Sequence, residues 1–158
     1  MRLAVAVALA LLPMLAFAQK TGDQIVRVAG EDTEMNAAIA KARGSLDEFL
    51  ALSRKPPKGA RNFKLKVKFS DANGNEHMWV VPFKQHGDDF SGTLANEPEM
   101  VRTVQAWQTV RFSRADITDW GYERDGKQFG SFTVCVMLTR MPAEEARAYD
   151  AYGFQCQD

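Results

Sequence analysis

The sequence predicts an α+β domain. One long N-terminal helix packs on a curved antiparallel sheet of five to six strands, and a short C-terminal helix follows. Three observations carry this prediction: an early apolar stripe at helical spacing, a run of alternating segments after it, and turn signals between those segments. Because the connections are local and the helices stand apart from the strands, the sheet is expected to be antiparallel.

The long helix is predicted over residues 31–52. Asp32 or Thr33 is expected to cap its first amides. Gly44 weakens its middle and marks where a kink or break would fall, and Pro56 and Pro57 end it. Its apolar side chains recur at intervals of three and four, along one buried stripe: Met35, Ala38, Ile39, Ala42, Leu46, Phe49 and Leu50.

Alternating or β-rich segments predict strands, connected by local hairpins, at 24–28, 63–69, 77–83, 90–95, 109–112 and 129–139. Asn73-Gly74 and Asp125-Gly126 are hairpin signals. Residues 100–106 read as one or two helical turns and 116–122 as a turn. Pro142 opens the short last helix and Gly153 caps it. A half-open barrel and a cystatin-like or cone-like sheet both fit this order.

The first 18 residues are typical of a secretory leader. Arg2 precedes an uncharged apolar run that ends in Ala16-Phe17-Ala18, a small-x-small cleavage site. The run is shorter than the roughly 20 residues that span a bilayer. We therefore expect cleavage between Ala18 and Gln19, a single domain over 19–158 with no membrane anchor, and a periplasmic or secreted location.

That location favours a disulfide between Cys135 and Cys156, the only two cysteines of the chain. It would close a loop of about 20 residues and contribute about 3 kcal/mol on the chain-entropy model. A nucleophilic Cys135 is the alternative, but no base is close in sequence, since His86 lies far upstream.

Composition narrows the classes of function. The chain has 158 residues, with 20 Lys and Arg against 20 Asp and Glu, so no charge excess marks a nucleic-acid-binding protein. Two histidines and two cysteines make no metal cluster, so no metal and no cofactor are expected.

Two clusters are candidate sites. Glu76 stands where the predicted hairpin turn enters its return strand, with Trp79 close by. Glu76 would accept a proton or bind a cationic ligand, with Trp79 as a stacking wall, unless Glu76 only pairs across the strands and Trp79 is core. Asp116, Asp119 and Trp120 would form a glycosidase-like acid–base pair beside an indole, provided that the carboxyl groups lie about 5–9.5 Å apart across a cleft. The structural alternative is that the two aspartates cap turn amides and Trp120 packs inward.

Lys64, Lys66 and Lys68 alternate with apolar residues and are expected on one solvated strand face. Such a face would bind an anionic protein or envelope component. It would equally serve to prevent edge-to-edge aggregation. Nucleic acid is the least suitable partner, because no aromatic residues interleave with the lysines.

Several short motifs follow one another along the sequence: Met35-x-x-Ala38-Ile39, Leu46-x-x-Phe49-Leu50, Phe63-x-x-Lys66-Val67-x-Phe69, Glu76-His77-Met78-Trp79-Val80, Phe90-x-Gly92-x-Leu94 and Ile117-x-Asp119-Trp120-x-Tyr122. In this combination the chain resembles the YegJ-like family, a bacterial domain of unknown function, from about residue 24 to residue 139. The resemblance implies a secreted or envelope-associated domain and assigns no catalytic residue. At Ala106-Trp107 the sequence lacks a glycine that the family turn would have.

Three hypotheses of function follow. The favoured one is a non-enzymatic binding or protein-interaction module of the inhibitor or immunity type. The second is a small cell-envelope hydrolase that uses paired carboxylates, and the third is a structural or stress-response envelope protein. The sequence leaves the oligomeric state and the ligand open.

Overall fold

The computed structural model describes residues 32–156. The leader at 1–18 and the strand predicted at 24–28 lie outside the described residues. The elements follow one another in the order α1 (Thr33–Gly44), α2 (Leu46–Arg54), β1 (Ala60–Asp71), β2 (Gly74–His86), β3 (Asp89–Leu94), β4 (Thr109–Ser113), β5 (Ile117–Arg124), β6 (Lys127–Gly130), α3 (Phe132–Arg140) and α4 (Ala143–Ala146), with 3-10 turns at Arg114–Asp116 and Arg147–Tyr152.

The single long helix of the sequence prediction is instead two helices that meet at Ser45. Gly44 ends α1, and the Ser45 amide donates to the carbonyl of Lys41. The Ser45 hydroxyl also bonds the Lys41 carbonyl and accepts the indole N–H of Trp120. The break therefore lies beside the glycine that marked it in the sequence, and it is fixed by a contact with the sheet.

The six strands form one antiparallel sheet in the order β4-β3-β2-β1-β5-β6. The hairpin predicted at Asn73-Gly74 joins β1 to β2, whereas β5 pairs with β1 and not with its sequence neighbour β4. In a flat sheet, β4 and β5 would lie four strand spacings, about 19 Å, apart. The three residues 114–116 cannot span that distance, so the sheet must curve to bring the two strands together.

The prediction of a turn at 116–122 is wrong, because Ile117–Arg124 is a strand. Its register against β1 shifts between Lys66 and Val67. That bulge lets Ile117 and Trp120, three positions apart, both join the core. The irregular spacing hid the period of two that identifies a strand.

The long strand predicted at 129–139 is wrong as well, because only its first residues are extended and Phe132–Arg140 is helical. Gly130 and Ser131 both have positive φ, at 74° and 55°, which ends the strand. A Cβ at Gly130 would clash with the carbonyl oxygen of Trp120. The β-branched and aromatic composition of α3 is overridden by its packing against α1.

The core lies between the helices and one side of the sheet. Phe49 of α2 is fully buried, and its ring lies 4.9 Å from that of Trp120 and 5.8 Å from that of Phe63. Leu65 of β1 lies between Val80 and Trp120 in register. The predicted helical stripe is buried throughout except for Ile39, which is half-buried.

The C-terminal segment closes the β6 edge of the sheet. The predicted Cys135–Cys156 disulfide is present, with 5.3 Å between the two Cα atoms. Phe154 pairs with Gln128 in a parallel bridge, and Gly153 takes the left-handed conformation of a C-cap. The short helix predicted after Pro142 is also present.

Reduction of the disulfide is expected to lower the free energy of unfolding by about 3 kcal/mol, because it opens the loop closed by two cysteines 21 positions apart in the sequence. Urea unfolding with and without reductant measures the difference. Thiol labelling of the native protein serves as a control that the bond was closed. Equal midpoints in both conditions would contradict the prediction.

Candidate functional site

The side of the sheet opposite the core carries a basic and aromatic surface, here called the lysine face. It consists of Lys64, Lys66 and Lys68 on β1 with His77 and Trp79 on β2. The pairs Lys66–Trp79 and Lys68–His77 are direct cross-strand neighbours. Because side chains alternate along a strand, these residues share one side while Leu65 and Val67 point to the core.

The three lysines are not the uniformly solvated row that the alternation predicts. Lys68 is exposed, Lys64 is half-buried, and Lys66 is only 8% exposed. The reason is the start of α3, which the sequence had placed in a strand and which reaches over this part of the sheet. Thr133 of α3 lies beside Lys66 and is buried with it.

Lys66, Thr133 and Asp119 form a buried polar chain. The Nζ of Lys66 donates to the Thr133 hydroxyl at 2.9 Å, and that hydroxyl donates to Asp119 Oδ2 at 2.6 Å. The Asp119 carboxylate also accepts the amides of Trp120, Phe132 and Thr133. Asp119 thus caps α3 from the neighbouring strand, and its oxygen atoms are fully engaged.

Both partly covered ammonium groups lie against one indole. The Nζ atoms of Lys64 and Lys66 are 4.8 and 5.1 Å from the Trp79 ring centroid. Lys64 also makes a long hydrogen bond, 3.4 Å, to the side chain of Gln128. Burial lowers the pKa of both lysines. The negative charges of Glu123 and Asp119 oppose that shift at Lys64, and the charge of Asp119 opposes it at Lys66. No ion pair within residues 32–156 involves any of the three lysines.

His77 borders these lysines and is uncharged at neutral pH. Burial lowers its pKa to about 4, and the positive charges of Lys66, Lys68 and Arg43 contribute further. Its Nδ1 lies 3.0 Å from the Thr118 hydroxyl, which in turn donates to the Lys66 carbonyl.

This pKa predicts a specific acid sensitivity. In the unfolded chain His77 takes up a proton near pH 6.5, whereas the folded protein resists it until about pH 4. Stability should therefore fall as the pH drops from about 6.5 towards 4, by about 2.5 kcal/mol at pH 4.5. Asn in place of His77 keeps a donor near Nδ1 but does not titrate. Urea unfolding at pH 7 and pH 4.5 should show a smaller acid loss in His77→Asn, and equal losses would refute the assignment.

The Glu76 carboxylate organises the connection between β3 and β4. It is 4% exposed and accepts the amides of Glu99, Met100 and Val101. The segment 100–106 is accordingly an irregular loop and not the predicted helical turns. The connection continues to Trp107, where the sequence lacks the glycine expected for the family turn. Trp107 nevertheless adopts a positive φ of 65°, as a glycine would, and it is 76% exposed.

The second predicted cluster is also divided among structural roles. Asp116 accepts the amide and hydroxyl of Ser113 in a capping box, while Asp119 binds the start of α3. Trp120 packs in the core and donates its indole N–H to the Ala42 carbonyl. Asp116, Asp119 and Glu76 therefore each serve a different backbone segment.

Two shallow clefts lie elsewhere, at the β3–β4 end of the sheet. One of about 520 Å³ is lined by His86, Ser91 and Arg111 among others, and one of about 560 Å³ by Arg43, Asp88 and Arg114 among others. Neither includes a member of the lysine face. Among residues 32–156 no group of three His, Cys, Asp or Glu side chains could hold a metal ion. In the same range no helix is long and apolar enough to cross a bilayer.

Ser131 and Thr133 are the site residues that sequence reasoning missed. Both were placed on a strand with Cys135, where their roles could not be seen. A serine that follows Gly130 and precedes an apolar run is a helix-start signal. That signal competed with the β-branched composition of the segment, which favoured the wrong element.

Comparison with known proteins places this fold in a family. Residues 32–156 match a family described as an uncharacterized protein conserved in bacteria, DUF2314. The uncharacterized protein YegJ of Escherichia coli K12 is 31% identical over 127 residues, which cover 80% of this chain and 82% of YegJ. The chain therefore belongs to the DUF2314 family and is YegJ-like.

A second relative carries the similar region within a longer protein. The putative ankyrin repeat protein NMB1133/NMB1171 of Neisseria meningitidis serogroup B is 31% identical over 139 residues, which cover 82% of this chain and 55% of that protein. No solved structure shows significant similarity to the chain.

Proposed function

We propose that this chain is a secreted or periplasmic, non-enzymatic protein-interaction module whose lysine face docks an acidic partner protein. The observation that carries the proposal is the pair of ammonium groups held over Trp79 without an ion pair in the described chain. Lys66 reaches the Asp119 carboxylate only through the Thr133 hydroxyl, whereas a lysine this buried ordinarily has a directly paired charge. A carboxylate supplied by another protein would complete this arrangement.

The anatomy of the face suits a docking surface. Trp79 is half-buried and presents an aromatic centre, while the exposed Lys68 lies at its margin. Aromatic residues at the centre of an interface and charges at its rim are the usual pattern of protein recognition. The carboxylates that a hydrolase would need are bound to backbone amides instead. The apolar leader and its small-x-small site support delivery to the envelope.

The test is salt-dependent capture with matched charge reversals. The protein is recovered from the periplasm of a Gram-negative host, and its first residue is identified, which should be Gln19. It is then immobilised and exposed to periplasmic extract at low and moderate salt. We expect an acidic protein at fixed stoichiometry, bound at least about tenfold more weakly by Lys68→Glu, because a rim charge guides association.

Lys127→Glu is the matched control. Lys127 is exposed on β6 and alternates with Gln128, so it lies on the other side of the sheet. If both variants lose binding affinity equally, the loss reflects only the change in net charge. That result would contradict docking at the lysine face. Capture of a lipid or glycan in place of a protein, or turnover of an envelope substrate, would also contradict it.

A further inference from the structure

Ser131 is a buried polar group with an unused hydroxyl. The residue is fully buried, and in the described chain its Oγ makes no hydrogen bond. It stands at the N-cap position of α3, where a serine oxygen ordinarily accepts an amide of the first turn. Here the Asp119 carboxylate accepts the amides of Phe132 and Thr133, so the Ser131 hydroxyl accepts neither of them. Such an unpaired buried group is costly and requires an explanation.

The hydroxyl lies beside the lysine face. A Cβ built on Gly121 would be 2.7 Å from Ser131 Oγ and 3.1 Å from Lys64 Cε. The Ser131 hydroxyl and the Lys64 side chain therefore adjoin the same point above Gly121, and the carbonyl oxygen of Phe129 lies 3.4 Å from the same Cβ. Gly121 of β5 is the cross-strand neighbour of Lys64 of β1, so this point is on the lysine side of the sheet.

We propose that Ser131, Lys64 and Lys66, with Trp79 as a wall, form a subsite for one oxyanion group, either a carboxylate or a phosphate. The inference rests on the proposed function, since it shares the lysine face, and it names the chemical group recognised there. All three polar groups have a hydrogen to donate, and an oxyanion only accepts. One ligand would thus satisfy the unused hydroxyl and both ammonium groups.

The charges around the subsite favour an anion. Lys68 adds a third positive charge on β1. The carboxylates that face the cluster are Asp119 and Glu123, and both are already engaged. Asp119 binds backbone amides and Thr133, while Glu123 pairs with Arg61 and accepts from Gln128. An entering oxyanion therefore meets more positive charge than negative charge.

The test titrates the purified secreted protein with inorganic phosphate and with acetate, at constant ionic strength held with chloride. Amide chemical shifts are followed by NMR. We expect saturable changes in β1, in β2 and at residues 131–133. Ser131→Ala should weaken binding about tenfold through loss of a hydrogen bond to a charged ligand, with the unfolding midpoint unchanged. Ser53→Ala in α2, whose hydroxyl bonds the Leu50 carbonyl, should bind as the wild type does.

The outcomes distinguish a phosphate ligand from a carboxylate ligand. They also distinguish failure of the oxyanion subsite from failure of the proposed protein-docking function. Saturation by phosphate alone assigns a phosphate group, and saturation by acetate assigns a carboxylate. Shifts that do not saturate, or equal affinities in Ser131→Ala and wild type, overturn the subsite. If Ser131→Ala does not fold, Ser131→Gly replaces it, because glycine accepts the left-handed backbone. Capture of an acidic protein without oxyanion binding would overturn the subsite alone, whereas failure of both experiments would overturn the proposed function as well.

Discussion

Replacement of Asp119 by Asn is expected to lower the free energy of unfolding by about 3 to 5 kcal/mol, the usual cost when a buried charge loses its partner. Asp119 has no solvent exposure and accepts three backbone amides and the Thr133 hydroxyl. The amide N–H group of an asparagine at this position would face the backbone N–H groups that now donate to the carboxylate. It would also remove the negative charge nearest to the buried Lys66, whose pKa the carboxylate raises against the effect of burial.

Asp116→Asn is the matched control for this prediction. Asp116 is half-buried in a capping box, and its loss should cost about 1 kcal/mol. Urea unfolding of both variants measures the difference. In the Asp119→Asn background, Lys66→Met should recover part of the stability, because the unpaired charge is then gone. Equal costs for the two aspartates, with no coupling to Lys66, would show that Asp119 does not hold this cluster together.

Local signals in the sequence were sufficient for the core and for most of the sheet. The apolar stripe from Met35 to Leu50 depends only on helical spacing, and six of its seven residues are buried. The Asn73-Gly74 hairpin depends on turn chemistry, and β1 and β2 join there. Both signals act over a few residues, so no knowledge of the tertiary structure was needed.

The elements that were wrong are those set by distant contacts. β5 was missed because a bulge against β1 breaks its alternation. The helix α3 was missed because its first amides are capped by Asp119, 14 residues before Thr133. Its side chains favour a strand, and only packing on α1 reverses that preference.

In the candidate site, too, features set by local sequence patterns could be predicted and features set by distant contacts could not. Lys64, Lys66 and Trp79 were identified from strand alternation, and the structure brings them together. Their burial could not be predicted, since it depends on a helix that the sequence placed in a strand. Glu76 is an acceptor, as its chemistry predicts, but its donors are amides of the β3–β4 connection, 23 to 25 residues further along the chain. No sequence pattern distinguishes a carboxylate that binds a ligand from one that binds a distant loop.

Phe49→Ala is expected to cost about 3 to 5 kcal/mol, the range for a large aromatic residue removed from a core. Its ring is fully buried among four aromatic rings, with that of Trp120 at 4.9 Å and those of Phe63, Phe83 and Tyr122 within 6.5 Å. The surrounding rings belong to three different strands, so the cavity cannot be closed by a shift of one element.

Leu52→Ala on the same helix is the control for Phe49→Ala. Leu52 is half-buried at the edge of the core and should cost clearly less. Urea unfolding compares the two, and equal costs would mean that α2 packs differently. The amides of the lysine face supply a second readout, because Trp120 contacts Phe49 and directly follows Asp119. If those amides shift in Phe49→Ala but not in Leu52→Ala, the aromatic core positions the Asp119 cluster, and with it the buried lysine that the lysine face depends on.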